Sequence, residues 1–206
     1  MLVPTVIDKT SNGECAYDIY SRLLDDRIIF ITGEINDMVA NTVIAQMLYL
    51  ESKSSKMPIS LYINSPGGVS QAGLAILDTI NFVKCPVSTI CIGLCASAAA
   101  LLLAGGQKGK RFSLPNAKIM IHQPWGAVQG QVTEIEIYYK EGKKDRNKYA
   151  SLLAQFCGKP EDTVNHDIER DNYMSAQQAL EYGLIDEILY SKKYIHSAKN
   201  NTKNKV

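Results

Sequence analysis

The sequence lacks the features that mark binders of charged polymers, metal sites and nucleotide-driven machines. Lys and Arg number 22 against 21 Asp and Glu, a formal charge of +1. That leaves no basic excess of the kind nucleic-acid binding needs. The cysteines, Cys15, Cys85, Cys91, Cys95 and Cys157, are odd in number and include no C-x-x-C pair. Neither a disulfide framework nor a zinc site follows from them. The glycine-rich run Gly105-Gly-Gln-Lys-Gly-Lys-Arg111 has the wrong spacing for a phosphate loop and no Ser or Thr after its Lys, so ATP hydrolysis has no visible seat. The opening Met-Leu-Val-Pro-Thr has neither a basic nor an apolar signal region. A reducing compartment is therefore expected, the cytoplasm or an organelle interior such as a plastid stroma.

One long uncharged run is present, Pro86 to Ala104. Nineteen residues come close to the ~20 that cross a bilayer, yet the run changes character at Gly93. Before it stand β-branched residues and after it Ala and Leu, which fits a buried strand turning into a buried helix. Elsewhere the pattern alternates. Arg27–Thr32, Ile59–Ile63, Val87–Ile92, Lys118–Ile121 and Ile185–Leu189 read as strands. Helical spacing at 39, 40, 43, 44, 47 and 48 follows a candidate cap at Asn36, and Val69, Ala72, Ile76, Ile80 and Val83 mark a second helical face. Thr133-x-x-Glu136 offers a capping box for a helix running to Cys157, with Gly158 and Pro160 as stops, and a short helix is expected at Ser175–Tyr182. The alternation predicts one α/β domain with largely parallel strands, over residues 1–190. Residues 191–206 hold five lysines and no acid and are expected to be a basic, solvated tail.

Histidine is scarce, which narrows the search for chemistry. His196 falls in the tail and His166 among Asp162, Asp167, Glu169 and Arg170. Only His122 ends an apolar strand, where an imidazole faces either a packed partner or a cleft. Ser97 sits where the buried strand meets the Ala/Leu helix, between Ala96 and Ala98. It is either a helix cap or an accessible nucleophile beside free N–H groups. G-x-S-x-G is absent, which disfavours an α/β-hydrolase, and Cys95 between apolar neighbours reads as inert filling. Pro66-Gly67-Gly68 opens a helix and lets backbone approach a ligand closely.

Several longer motifs stand in order: Tyr-Asp-Ile-Tyr-Ser-Arg-Leu-Leu (17–24), Tyr-Ile-Asn-Ser-Pro-Gly-Gly (62–68), Gly-Lys-Arg-Phe (109–112) and Met-Ile-His-Gln-Pro (120–124). Glu-Arg-Asp-Asn-Tyr-Met-Ser-Ala (169–176) and Glu-Tyr-Gly-Leu-Ile-Asp (181–186) follow. With them the chain resembles the ClpP peptidase family, the proteolytic subunit of the ATP-dependent Clp protease, from Val3 to about Leu189. The resemblance implies a crotonase-like α/β fold of repeated β-β-α units, with a pore-lining segment at 1–17 and a protruding handle helix at 132–157. It implies Ser97 as nucleophile, His122 as base and Asp171 as orienting acid, the position after the Glu-Arg pair selecting Asp171 over Asp167. Gly68 and Ala98 would supply oxyanion N–H groups; Ala98 stands where the family usually has Met.

The resemblance further implies two stacked heptameric rings, homomeric or mixed with a paralogue. A hexameric AAA+ unfoldase of ClpX, ClpA or ClpC type would dock at Tyr62, Phe82 and Leu189, with Ser60 replacing a usual aromatic. Arg170 would join ring-to-ring contacts. The substrates would be unfolded proteins and short peptides, with no cofactor, metal, membrane or nucleic acid. A non-catalytic subunit of a mixed ring remains the alternative, and a crotonase-type acyl-CoA enzyme a more distant one.

The middle of the handle departs from the family. Lys140 to Lys148 has no apolar side chain and sums to +3, with Gly142 and Lys143 where relatives keep aliphatic residues. Such stretches facing each other across a two-fold interface repel. Ring-to-ring association is therefore expected to be weak at low ionic strength and to tighten as salt screens the repulsion. Sedimentation across a salt series tests this, and double rings that dissociate as salt rises would reverse the sign.

Overall fold

Glycines and prolines between the apolar stretches punctuate the chain into alternating strands and helices. The computed structural model describes residues 3–10 and 13–190. The basic tail at 191–206, with His196, lies outside the described residues, as do positions 1, 2, 11 and 12 of the expected pore segment. Strands β1 (Thr5–Thr10) and β2 (Gly13–Asp18) pair as an antiparallel hairpin. Asp18 then caps helix α1 (Ile19–Asp25). Strand β3 (Ile28–Thr32), helix α2 (Asp37–Lys53), strand β4 (Ile59–Ser65), helix α3 (Ser70–Phe82) and strand β5 (Val87–Ala96) follow. Next come helix α4 (Ala98–Ala104) and strands β6 (Arg111–Ser113) and β7 (Lys118–Ile121). Helices α5 (Val132–Cys157) and α6 (Glu161–Asp167), strand β8 (Asn172–Ser175), helix α7 (Ala176–Tyr182) and strand β9 (Glu187–Ile188) complete the order.

Strands β3-β4-β5-β6-β9 lie side by side and parallel. The sheet forks at β5, whose first half pairs with β6 and whose last residues, Leu94 to Ala96, pair with β7. β8 runs antiparallel to β7. Four positions of β5 span two of β4 between the pairs Ile63–Cys91 and Ser65–Cys95. The Asn64 side chain occupies this bulge, accepting from the Leu94 N–H at 3.0 Å, and a Cβ on Gly93 would lie 2.6 Å from its Oδ1. The uncharged run is therefore strand and helix, as read, but the strand extends three residues beyond Gly93. α4 is buried along its whole length, and no helix of the described residues is long and apolar enough to cross a membrane.

The other differences from the sequence reading are local. Asn36 does cap α2, accepting from the Val39 N–H at 3.0 Å. α5 starts one residue before Thr133, and its box forms between the Gln131 N–H and Glu134 at 3.0 Å rather than at Thr133 and Glu136. The last strand shrinks to two residues. β8, too short to show a period, was not anticipated. At 26 residues α5 extends roughly 39 Å. Its basic middle is partly neutralised within the chain: Lys140 approaches Glu136 at 3.9 Å, Lys144 Glu141 at 2.6 Å and Arg146 Glu169 at 2.8 Å. Lys143 and Lys148 have no ion-pair partner among the described residues.

Two buried guanidinium groups tie the layers. Arg27 donates to the carbonyls of Leu50, Ser54, Met57 and Pro58, holding the end of α2 against the sheet. Arg111, 1 % exposed, forks onto Asp186 at 2.6 and 2.9 Å and donates to the carbonyls of Ala104 and Phe156. Burial pushes the Asp186 carboxyl up, but the bonds from Arg111 and from the Gly109 N–H outweigh it and hold it at about 2. A carboxylate so depressed contributes stability in full above its unfolded value near 4, and that contribution is lost as pH falls towards 2. Asp186→Ala strands a buried cation and is expected to cost about 3–5 kcal/mol at neutral pH. Urea unfolding from pH 6 to pH 2 should show the gap to wild type narrowing below pH 4; a gap independent of pH would contradict the assignment.

Candidate active site

Ser97 lies between the last residue of β5 and the first of α4, with φ 57° and ψ −123°. A non-glycine residue in that region carries about 1–3 kcal/mol of strain and persists only where its surroundings over-determine it. They do so here. Its N–H donates to the Met120 carbonyl of β7 at 2.9 Å. Its carbonyl accepts from the N–H groups of Ala100 and Leu101 and from the Tyr149 hydroxyl at 3.1 Å. Burial pushes the Tyr149 phenol far above its usual range, so it stays a neutral donor. The Ser97 side chain makes no capping bond. Of the two readings its sequence left open, the helix cap is not the one found. The turn is a sharp strand-to-helix elbow without the glycines of G-x-S-x-G; Ala96 and Ala98 are small enough to serve instead.

His122 is the residue after β7, and Asp171 the residue before β8. The register pairs Ile121 with Asn172, which sets the next two positions across from each other. His122 Nδ1 lies 3.1 Å from Asp171 Oδ1, with the imidazole 14 % exposed. Asp167 is elsewhere: it accepts from the Tyr182 hydroxyl at 2.9 Å and lies beside His166, itself 91 % exposed. The Gln123 N–H and side chain bond the carbonyls of Ile168 and Glu169 at 2.7 and 2.9 Å, which fixes the segment carrying Asp171. Ser97 and His122 line one pocket together with Pro124 and Tyr149, without a hydrogen bond between their side chains. Catalytic bonds of this kind are often open in a free enzyme.

The Pro-Gly-Gly loop packs against the elbow. A Cβ on Gly67 would fall 2.6 Å from the Ala96 carbonyl and 2.7 Å from Ser97 Cβ. One on Gly68 would fall 2.2 Å from the Ile35 carbonyl. Ile35 bonds Gly67 and Val69 on either side, leaving the Gly68 N–H unbonded among the described residues. The Ala98 N–H, first in α4, is likewise unbonded. Cys95 is buried and inert, its thiol pushed well up first by burial and then by Cys91.

The remaining sequence candidates do not line this pocket. Tyr62 stacks on Phe30 at 5.5 Å, and Phe30 meets Tyr20 edge-on at 5.7 Å. Phe82, at the end of α3, is 76 % exposed, and half-buried Leu189 follows β9, bonded to the Ser113 carbonyl. The Ser60 hydroxyl accepts from Ser88 at 3.1 Å. Arg170 stands beside His122 and Asp171 at a surface hollow that also holds Trp125. Sequence reading missed Tyr149 as a site residue; a tyrosine amid helix-spaced apolar positions gave no signal beyond core packing.

A forked, largely parallel sheet packed with helices, and a long helix after β7, define a crotonase-like α/β domain. The protein-family model for Clp protease matches residues 11–192. The chain belongs to the Clp protease family, a family of serine peptidases. Gly68→Ala tests the loop's close packing. With Cβ driven into the Ile35 carbonyl, a loss of about 1–3 kcal/mol is expected in denaturant unfolding, and unchanged stability would contradict the contact.

Proposed function

We propose that the chain is a serine endopeptidase, the proteolytic part of an ATP-dependent Clp protease. The observation that carries this reading is the bonded His122–Asp171 pair facing a serine held in a left-handed elbow. Ser97 Oγ attacks the scissile carbonyl while His122 takes its proton. Asp171 accepts the Nδ1–H, which holds the imidazole in the tautomer whose Nε2 faces the serine. The unbonded N–H groups of Gly68 and Ala98 stabilise the oxyanion, a contribution typically worth 10²–10³-fold per donor. His122 then protonates the leaving amine, and water releases the acyl group by the same route in reverse.

The family suggests an oligomer working with an unfoldase. In our reading the oligomer is two stacked seven-membered rings joined through α5 and Arg170, homomeric or mixed with a paralogue. The unfoldase is a hexameric AAA+ ATPase of ClpX, ClpA or ClpC type, docking at Tyr62, Phe82 and Leu189. Folded substrates lie ~5–15 kcal/mol below their unfolded state, and this chain has no phosphate loop to supply that work. Short peptides need no such help. A cytoplasmic or organelle-interior setting fits the sequence.

Ser97→Ala is expected to lower hydrolysis of short unstructured peptides by about 10⁴–10⁶-fold with the fold intact, while Cys95→Ala is nearly silent. Fluorogenic peptide turnover, read beside circular dichroism, checks both. A well-folded Ser97→Ala protein with wild-type turnover would overturn the mechanism.

A further inference from the structure

Asp171 sits on a short segment between α6 and β8, and two different elements hold that segment. Gln123, the residue after His122, bonds the carbonyls of Ile168 and Glu169 at 2.7 and 2.9 Å. These bonds set the acid relative to the base's own loop. They fix neither group against the nucleophile. β7 does that for His122, because its Met120 carbonyl takes the Ser97 N–H at 2.9 Å. For the acid the tie comes from α5. Arg146 Nη2 donates to Glu169 Oε2 at 2.8 Å and to the Asn165 carbonyl at 3.5 Å.

Arg146 and Tyr149 stand three residues apart on α5, which makes them neighbours on its surface. Tyr149 bonds the Ser97 carbonyl at 3.1 Å, while Arg146 bonds the segment that carries the acid. A single helical turn therefore spans from the nucleophile to Asp171. Asp145, beside Arg146, accepts from Gln71 Nε2 at 3.3 Å, which seats the same turn on the start of α3. As a source of stability the Arg146–Glu169 pair is poor. Its side chains are 35 % and 54 % exposed, and exposed pairs contribute little to folding. The buried Arg146 Nε has no acceptor among the described residues, which is a cost to folding. Placement is where such a pair matters, since a shift of about 1 Å in a reacting group can slow chemistry by about 100-fold.

We propose that Arg146, acting through Glu169, is a positioning residue that sets Asp171, and with it the His122 imidazole, against Ser97. The proposal rests on the peptidase reading above. The test uses the full-length protein, with kcat and KM measured on a fluorogenic peptide and folding followed by circular dichroism and urea. Arg146→Met keeps the aliphatic stem and Glu169→Gln keeps the shape of its side chain; each removes the ion pair. Each is expected to lower kcat by about tenfold with KM within about twofold, and to leave the urea midpoint close to wild type. The double variant should be no slower than the slower single, because both remove one contact. Arg146→Lys should recover most of the rate, since the contact to Glu169 uses one nitrogen and a charge-assisted bond.

Wild-type kcat in both single variants overturns the proposal. So do losses that multiply in the double variant, and a loss that Arg146→Lys does not relieve. A fall in kcat that follows a fall in the urea midpoint overturns it too, assigning the pair to folding. Sedimentation of each variant closes the remaining route: a smaller assembly accompanying the lost rate assigns Arg146 to subunit contacts and overturns positioning. Reaction of the wild type with a fluorophosphonate separates the two levels of failure. A protein that reacts and cleaves peptide, but is indifferent to Arg146 and Glu169, refutes the positioning role alone. One that neither reacts nor cleaves refutes the peptidase reading with it.

Discussion

A serine at φ 57° and ψ −123° holds that conformation only under restraint, and three separate elements provide it for Ser97. β7 takes its N–H, α4 its carbonyl, and α5 the same carbonyl through Tyr149. Gly67 lets a fourth element, the loop after β4, come within contact of the elbow, and Gly68 lets that loop pass against Ile35. Each of these segments also brings a group of the proposed site. β7 delivers His122, α4 the Ala98 N–H and the loop the Gly68 N–H. Position and chemistry are thus set by one set of bonds.

The forked sheet explains how so many elements reach one point. β5 is long enough to serve two neighbours in succession because the Asn64 side chain fills its bulge and turns its last residues towards β7. Behind the elbow, Arg111 joins the end of α4 to the end of α5 by donating to the carbonyls of Ala104 and Phe156, while Asp186 neutralises it. Tyr149 joins the same two helices at the other end of α4. The long helix is therefore pinned at its C-terminal third, and its first half leaves Ile135, Ile137, Tyr138 and Tyr139 exposed.

Most of the architecture was legible because apolar spacing is a local property. α2 and α3 appeared from their buried faces, and Asn36 and Gly158 marked real helix ends. Errors arose where tertiary contacts overrode local signals. Gly93 read as a strand end, yet Asn64 makes it the middle of a bulge. Thr133 and Glu136 had a capping pattern, but Gln131 and Glu134, two residues earlier, form the box. β8 is four residues with no period of its own, formed by pairing with β7, and it is the register of that pair that brings Asp171 to His122. The family resemblance selected Asp171 over Asp167 by its place after the Glu-Arg pair, and it is Asp171 that lies at the imidazole while Asp167 bonds Tyr182. The backbone strain at Ser97 left no trace beyond two small neighbours.

The central claim is that Ser97 is a nucleophile activated by His122. It is tested most directly by mapping the adduct of a fluorophosphonate on the intact protein by mass spectrometry, in wild type and in His122→Ala. The account predicts modification of Ser97 alone, slowed by about 100-fold or more when the imidazole is removed. An adduct on another residue, or one on Ser97 that forms equally fast without His122, would contradict it.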